Sequence, residues 1–116
     1  MVKNQEPTPP IENITQEIRR GALILAALSQ LTDEKYGYSL IRQLADNGLE
    51  MDQGTLYPLL RRLESQGLLD SRWKVEDSRP RRYYVITRAG KAVLGDLVGE
   101  WRALARIMEK LLAKVK

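Results

Sequence analysis

The stretch from Leu94 to Val115 constrains the fold most. Leu94, Leu97, Trp101, Leu104, Met108, Leu111 and Val115 follow one another by three and four residues in strict alternation. A mean step near 3.5 residues keeps one apolar stripe turned toward a neighbouring helix along its whole length, so this segment calls for a helical partner. Val98, Ala105 and Leu112 widen the stripe beyond what a single neighbour fills. The helix is expected to begin at a Thr87 cap and to run to about Lys114.

A first helix makes a related demand. Asn13 is a good N-cap, with Gln16 three residues on as in a capping box, and apolar residues recur at Ile14, Ile18, Gly21, Leu25 and Leu28, predicting a helix to about Gln30. Its second half, Gly21 to Leu28, is apolar on every face and must be covered from more than one side. Residues 1–12, rich in proline, carry no periodic pattern and are read as a loose tail.

Between these helices the period changes twice. Leu40, Ile41, Leu44 and Ala45 form one face of a short second helix that Asn47-Gly48 stops. Asp52 caps a third, with Leu56, Leu59, Leu60 and Leu63 at helical spacing and Gly67 as its stop. Pro58 lies inside that run and would ordinarily end or distort it, but it falls within the first two turns and the leucine spacing continues across it. Then come two strand-like runs, Leu69 to Val75 and Arg81 to Thr87, joined by a turn at Asp77-Ser78-Arg79-Pro80. Tyr83 and Tyr84 must point to opposite faces of their strand.

Three helices, a hairpin and a closing helix make a mainly α fold with a small sheet. It is a winged helix-turn-helix over residues 13–88, followed by a long C-terminal dimerisation helix over 89–116. A chain of 116 residues suits one such domain. With neither Cys nor His, thiolate zinc sites, disulfides, imidazole bases and Ser-His-Asp triads are excluded, and no enzyme activity, cofactor or metal is expected. No apolar run approaches the roughly 20 residues of a membrane span, so the reading is cytoplasmic without a membrane partner.

Fold alone does not give function, because winged helices also serve as protein-interaction modules. Charge narrows the choice. From Arg61 to Lys91 nine basic residues face four acidic ones, although the whole chain carries only +4. Such a segment is either a solvated surface or the footprint of a phosphate-binding face. Opposite the leucine stripe of the third helix lie Thr55, Pro58, Arg61, Arg62 and Ser65, with Tyr57 at the flank, donors suited to base edges and phosphates. Arg79, Arg81 and Arg82 project from the hairpin tip toward a phosphate or minor groove. The favoured partner is double-stranded DNA, and the alternative is a scaffold module whose basic patch meets an acidic protein.

Tyr36-Gly-Tyr38, the block Gly54-Thr-Leu-Tyr-Pro-Leu-Leu-Arg-Arg-Leu-Glu64, Gly67-Leu-Leu and Arg81-Arg-Tyr-Tyr, followed by Thr87 and Gly90, resemble the PadR family of transcriptional regulators over residues 18 to 115. The resemblance implies a homodimeric repressor that binds pseudo-palindromic operators, with Tyr38, Thr55, Tyr57, Arg61 and the wing arginines at positions the family uses on DNA. It implies that the closing helix packs on the partner's closing and first helices through Ile18, Leu25, Leu94, Leu97, Trp101, Leu104, Met108 and Leu111. One departure is Ser78, where the family commonly has glycine, so the wing turn is expected to be tighter or differently aimed. Some members with a tryptophan at the place of Trp101 hold planar aromatic compounds between subunits. Here Trp101, Ala22, Ala26, Val98, Ala105 and Met108 are the corresponding effector candidates. Two readings of Trp101 stand open, a pocket wall and a plain dimer-core side chain. Ala105 offers no carboxylate for a cationic compound, and the direction of Glu100 is left unassigned.

Overall fold

A computed structural model describes residues 11–115. In chain order the elements are α1 (Ile11–Gln30), β1 (Lys35–Tyr36), α2 (Gly37–Asp46), α3 (Gln53–Ser65), β2 (Leu69–Glu76), β3 (Arg79–Ile86) and α4 (Arg88–Leu112). The expected winged helix-turn-helix with its closing helix is the fold observed. Residues 1–10 of the expected tail lie outside the described residues. Ile11 and Glu12 belong to α1 instead, so the helix starts ahead of Asn13, which is therefore not its cap. No proline lies between Ile11 and Gln30 to oppose that extra half turn.

Both other capping expectations hold. Thr55 N donates to Asp52 Oδ1 at 2.8 Å and Gly90 N donates to Thr87 Oγ1 at 2.9 Å, each satisfying an orphan amide of the first turn. Pro58 leaves α3 continuous from Gln53 to Ser65. As the sixth residue of that helix it forgoes only the bond to the Gly54 carbonyl, one of many, while the leucine face gains burial. The α4 helix stops at Leu112, with Ala113 as its C-cap, slightly short of Lys114.

The core is one leucine cluster. Leu23, Ala27, Leu28 and Leu31 from α1 and the turn after it meet Leu40 and Leu44 of α2, Leu56, Leu59, Leu60 and Leu63 of α3, and Leu69, Tyr84 and Ile86 of the sheet. The leucine stripes read from the sequence are thus the faces that fold inward. In α1 only part of the apolar Gly21–Leu28 stretch is covered by the chain itself, and Ala22, Ile24, Leu25 and Ala26 stay partly open.

The sheet has three antiparallel strands in the order β1-β3-β2. Two-residue β1 was not expected, since its evidence is a distant pairing, Lys35 with Tyr84 and Tyr36 with Tyr83, and not a local period. The hairpin turn is also shorter than the sequence suggests. Glu76 pairs with Arg79 and Val75 with Pro80, so only Asp77 and Ser78 form the turn, and Arg79 and Pro80 belong to the strand. Both turn residues have positive φ, 53° and 64°. That is the signature of the two-residue turn whose twist matches a hairpin, and it overrides the four-residue reading. Neither residue is glycine, so each is held in the left-handed region at some cost. Ser78→Gly is expected to stabilise the protein by about 0.5–1 kcal/mol, measured as an upward shift of the urea midpoint with unchanged m-value.

Candidate nucleic-acid interface

The third helix and the wing leave a cleft between them. Its walls are Tyr57 and Arg61 of α3, Tyr36 of β1, Gly37 at the start of α2, and Trp73, Pro80, Arg81, Arg82 and Tyr84 of the hairpin, enclosing about 250 Å³. A second cleft lies on the other flank of α3, where Thr55, Pro58 and Arg62 face Arg20 and Leu23 of α1. The adjacent arginines therefore diverge, as helical geometry requires of neighbours about 100° apart: Arg61 toward the wing and Arg62 toward α1. Between them α3 stands as a ridge whose outward residues Pro58, Arg61, Arg62 and Ser65 are exposed. Arg20 was missed by the sequence reading, because its proximity to Arg62 arises only from the packing of α1 on α3.

The basic residues divide into two groups. Arg72 and Lys74 both pair with Glu34, at 2.6 and 2.7 Å, Arg81 with Glu76 at 3.5 Å and Arg82 with Glu64 at 3.0 Å. Arg61, Arg62, Arg79, Arg88 and Lys91 have no carboxylate partner within that reach among the described residues. Glu34 is held well below the usual carboxylate range, at about 2, first by its hydrogen bond from Arg72 and then by that from Lys74. The clamp therefore stays charged far into the acid range, and the unpaired charge of this segment lies on the flanks of α3 at Arg61 and Arg62, at the wing tip at Arg79 and at the start of α4 at Arg88 and Lys91.

The wing arginines differ accordingly. Arg79 is exposed beside the turn. Arg81 lies with its guanidinium 5.0 Å from the Tyr36 ring centre. Arg82 turns inward, its Nε donating to Ser71 Oγ at 3.0 Å and its Nη2 to Glu64 Oε1 at 3.0 Å, while Ser71 Oγ also donates to Glu64 Oε2 at 2.6 Å. This network fastens the wing to the end of α3 and gives Arg82 a positioning role in place of a freely projecting one. Tyr84 is buried, and Tyr83 on the other face donates its hydroxyl to Glu76 Oε1 at 2.6 Å, as opposite strand faces require. Tyr38 is exposed on α2 with Arg42 over its ring at 5.9 Å. Tyr57 is half-buried against Gly37, and burial pushes its hydroxyl pKa up, so it remains a donor.

The sequence matches the Transcriptional regulator PadR-like family over residues 24–96. The chain belongs to that family. A transcriptional regulator of Mycobacterium tuberculosis is 40% identical over 98 residues, spanning 84% of this chain and 89% of that protein. Among solved structures, a PadR family transcriptional regulator from Eggerthella lenta superposes with a TM-score of 0.82 at 44% identity, covering 91% of this chain and 94% of that one. A PadR-like transcription factor from Bacteroides fragilis gives 0.71 at 32% identity, with 85% and 98% covered. The PadR-like match spans every element from the middle of α1 to the first part of α4 and includes the whole first cleft, while Arg20 and Leu23 of the second lie just before it.

The rest of α4 carries the second group of candidate residues. Leu94 and Leu97 pack against the chain's own core. Beyond them the stripe is bare: Trp101 is 49% exposed and Leu104 51%, and Met108 and Leu111 are exposed as well. Ile107, off the seam, joins them, and Ile18 of α1 is 74% exposed. A cavity of about 350 Å³ between α1 and α4 has Ile18, Ala22, Leu25, Trp101 and Leu104 among its lining residues, together with Glu100. Of the effector candidates, Trp101 and Ala22 line it, while Ala26, Val98, Ala105 and Met108 are not among its lining residues. Glu100 is thus the carboxylate that the sequence left unassigned. Among the described residues no cluster of potential metal ligands occurs and no helix is long and apolar enough to cross a membrane.

Proposed function

We propose that this PadR-like regulator acts as a homodimeric repressor that sets α3 of each protomer in successive major grooves of a pseudo-palindromic operator. The observation that carries the reading is the segregation of charge. On α3 itself Arg61 and Arg62, one beside each cleft, are free, as is Arg79 at the wing tip, whereas Arg72, Lys74, Arg81 and Arg82 of the wing are neutralised by Glu34, Glu76 and Glu64. The bare α4 stripe and exposed Ile18 supply the self-complementary apolar surface for pairing. The cavity beside Trp101, with its apolar walls and one carboxylate, suits a planar aromatic effector bearing a positive charge.

Fluorescence anisotropy with a duplex from the region upstream of the protein's own gene tests the repressor reading. Binding to one site, tight and steeply weakened by salt, is expected. Equal binding to every sequence would favour the interaction-module alternative. Arg61→Ala is expected to weaken operator binding by about 1–3 kcal/mol. A loss confined to the operator marks a base contact, and a loss on all sequences marks a phosphate contact. Unchanged binding removes Arg61 from the interface.

A further inference from the structure

Trp73 is unusual in this molecule. Its indole is 62% exposed, and the neighbouring Val75 is 75% exposed, although both continue the strand face that begins with buried Leu69. In β2, residues 69, 71, 73 and 75 share one face, and Ser71 on that face touches Glu64 at the end of α3. Trp73 is therefore on the α3 side of the wing, where it walls the cleft with Tyr57 and Arg61. The indole is also held. Its cross-strand partner Arg82 lies with its guanidinium 5.5 Å from the ring centre and is itself tied to Ser71 and Glu64.

We propose that this cleft seats the sugar-phosphate ridge of duplex DNA, with the Trp73 indole packed on a deoxyribose. The inference rests on the DNA-binding reading above and extends it to a new contact. When α3 enters a major groove and the wing reaches the adjacent minor groove, the strand separating those grooves must cross the space between α3 and the wing. That space is walled by aromatic rings and rimmed by the unpaired Arg61, matching a polyanion whose sugars present apolar edges. Packing on a sugar adds affinity without reading sequence and without releasing a counterion. Its energetic signature therefore differs from that of an arginine.

The test uses the full chain and a random-sequence 30-base-pair duplex at low salt, alongside the upstream duplex. Trp73→Ala is expected to weaken binding to both by about tenfold, with the slope of log affinity against log salt unchanged. Trp73→Phe should keep most of the affinity while abolishing the part of the DNA-induced change in tryptophan emission that Trp73 supplies. Because the residue is exposed, both variants should match the parent in thermal melting. Unaltered affinity of Trp73→Ala, or an emission change identical in the parent and Trp73→Phe, overturns the proposal while leaving DNA binding intact. Failure of the parent protein to bind any duplex overturns the DNA-binding reading itself.

Discussion

Gly90→Ala is expected to destabilise the protein by about 3 kcal/mol or more, seen as a fall of roughly 10 °C or more in melting temperature. A Cβ at this position would land on the Leu68 carbonyl oxygen and come 2.6 Å from Ile86 Cγ1. The Leu68 carbonyl cannot yield, since it already accepts from Thr87 N at 3.0 Å in the bond that ties the cap of α4 to the base of the wing. The methyl group would lift α4 off the wing base, breaking that bond and the Thr87 cap together. Gly95→Ala is the matched control. Nothing lies within 4 Å of a Cβ there, and alanine should stabilise the helix by about 0.5–1 kcal/mol. Equal behaviour of the two variants would refute the close approach at Gly90.

Leu104→Asp is expected to give monomers and to abolish operator binding at concentrations where the parent is paired. Leu104 sits mid-stripe on α4, half exposed in the single chain and beside Trp101 and Ile18 at the cavity. In a symmetric pair the substitution occurs twice, and each carboxylate would be buried without a partner. At about 3 kcal/mol apiece, the dimer weakens by about 6 kcal/mol, on the order of 10⁴-fold. Sedimentation at micromolar concentration separates the outcomes, and an intact dimer would refute the placement of Leu104 at the interface. The monomer should keep its helical circular dichroism, because the leucine core is built from α1, α2, α3 and the sheet and Leu104 is no part of it.

The helices were legible because burial imposes a period. Leu56, Leu59, Leu60 and Leu63 cannot all reach the core except along one helix face, and two of the caps, Asp52 and Thr87, announce themselves by residue type. The wing was less legible. Alternation identified both strands of the hairpin, yet Asp77 and Ser78 lack the glycine that would mark a two-residue turn, so Arg79 and Pro80 were read as part of it. The short β1 strand left no local trace. At the site, outward arginines on α3 followed from the period, but the sequence could not say which arginines were free. Glu34 is 38 residues from Arg72 and Glu64 is 18 from Arg82, and only folding brings those charges together. Trp73 was seen as one residue of an alternating strand. Its exposure becomes informative once β2 is known to run past the end of the core.

The tie from Glu64 through Ser71 and Arg82 has a mechanical consequence. With the hairpin fastened to the end of α3, each half of the proposed dimer would be a stiff reading head whose internal shape resists adjustment. What could still change is the separation and tilt of the two heads, which the proposed pairing of α4 with its counterpart would set. A compound lodged beside Trp101 would then act as a shim at the pivot: it would spoil the fit to DNA by altering the span between half-sites, with every base-reading side chain still in its proper place.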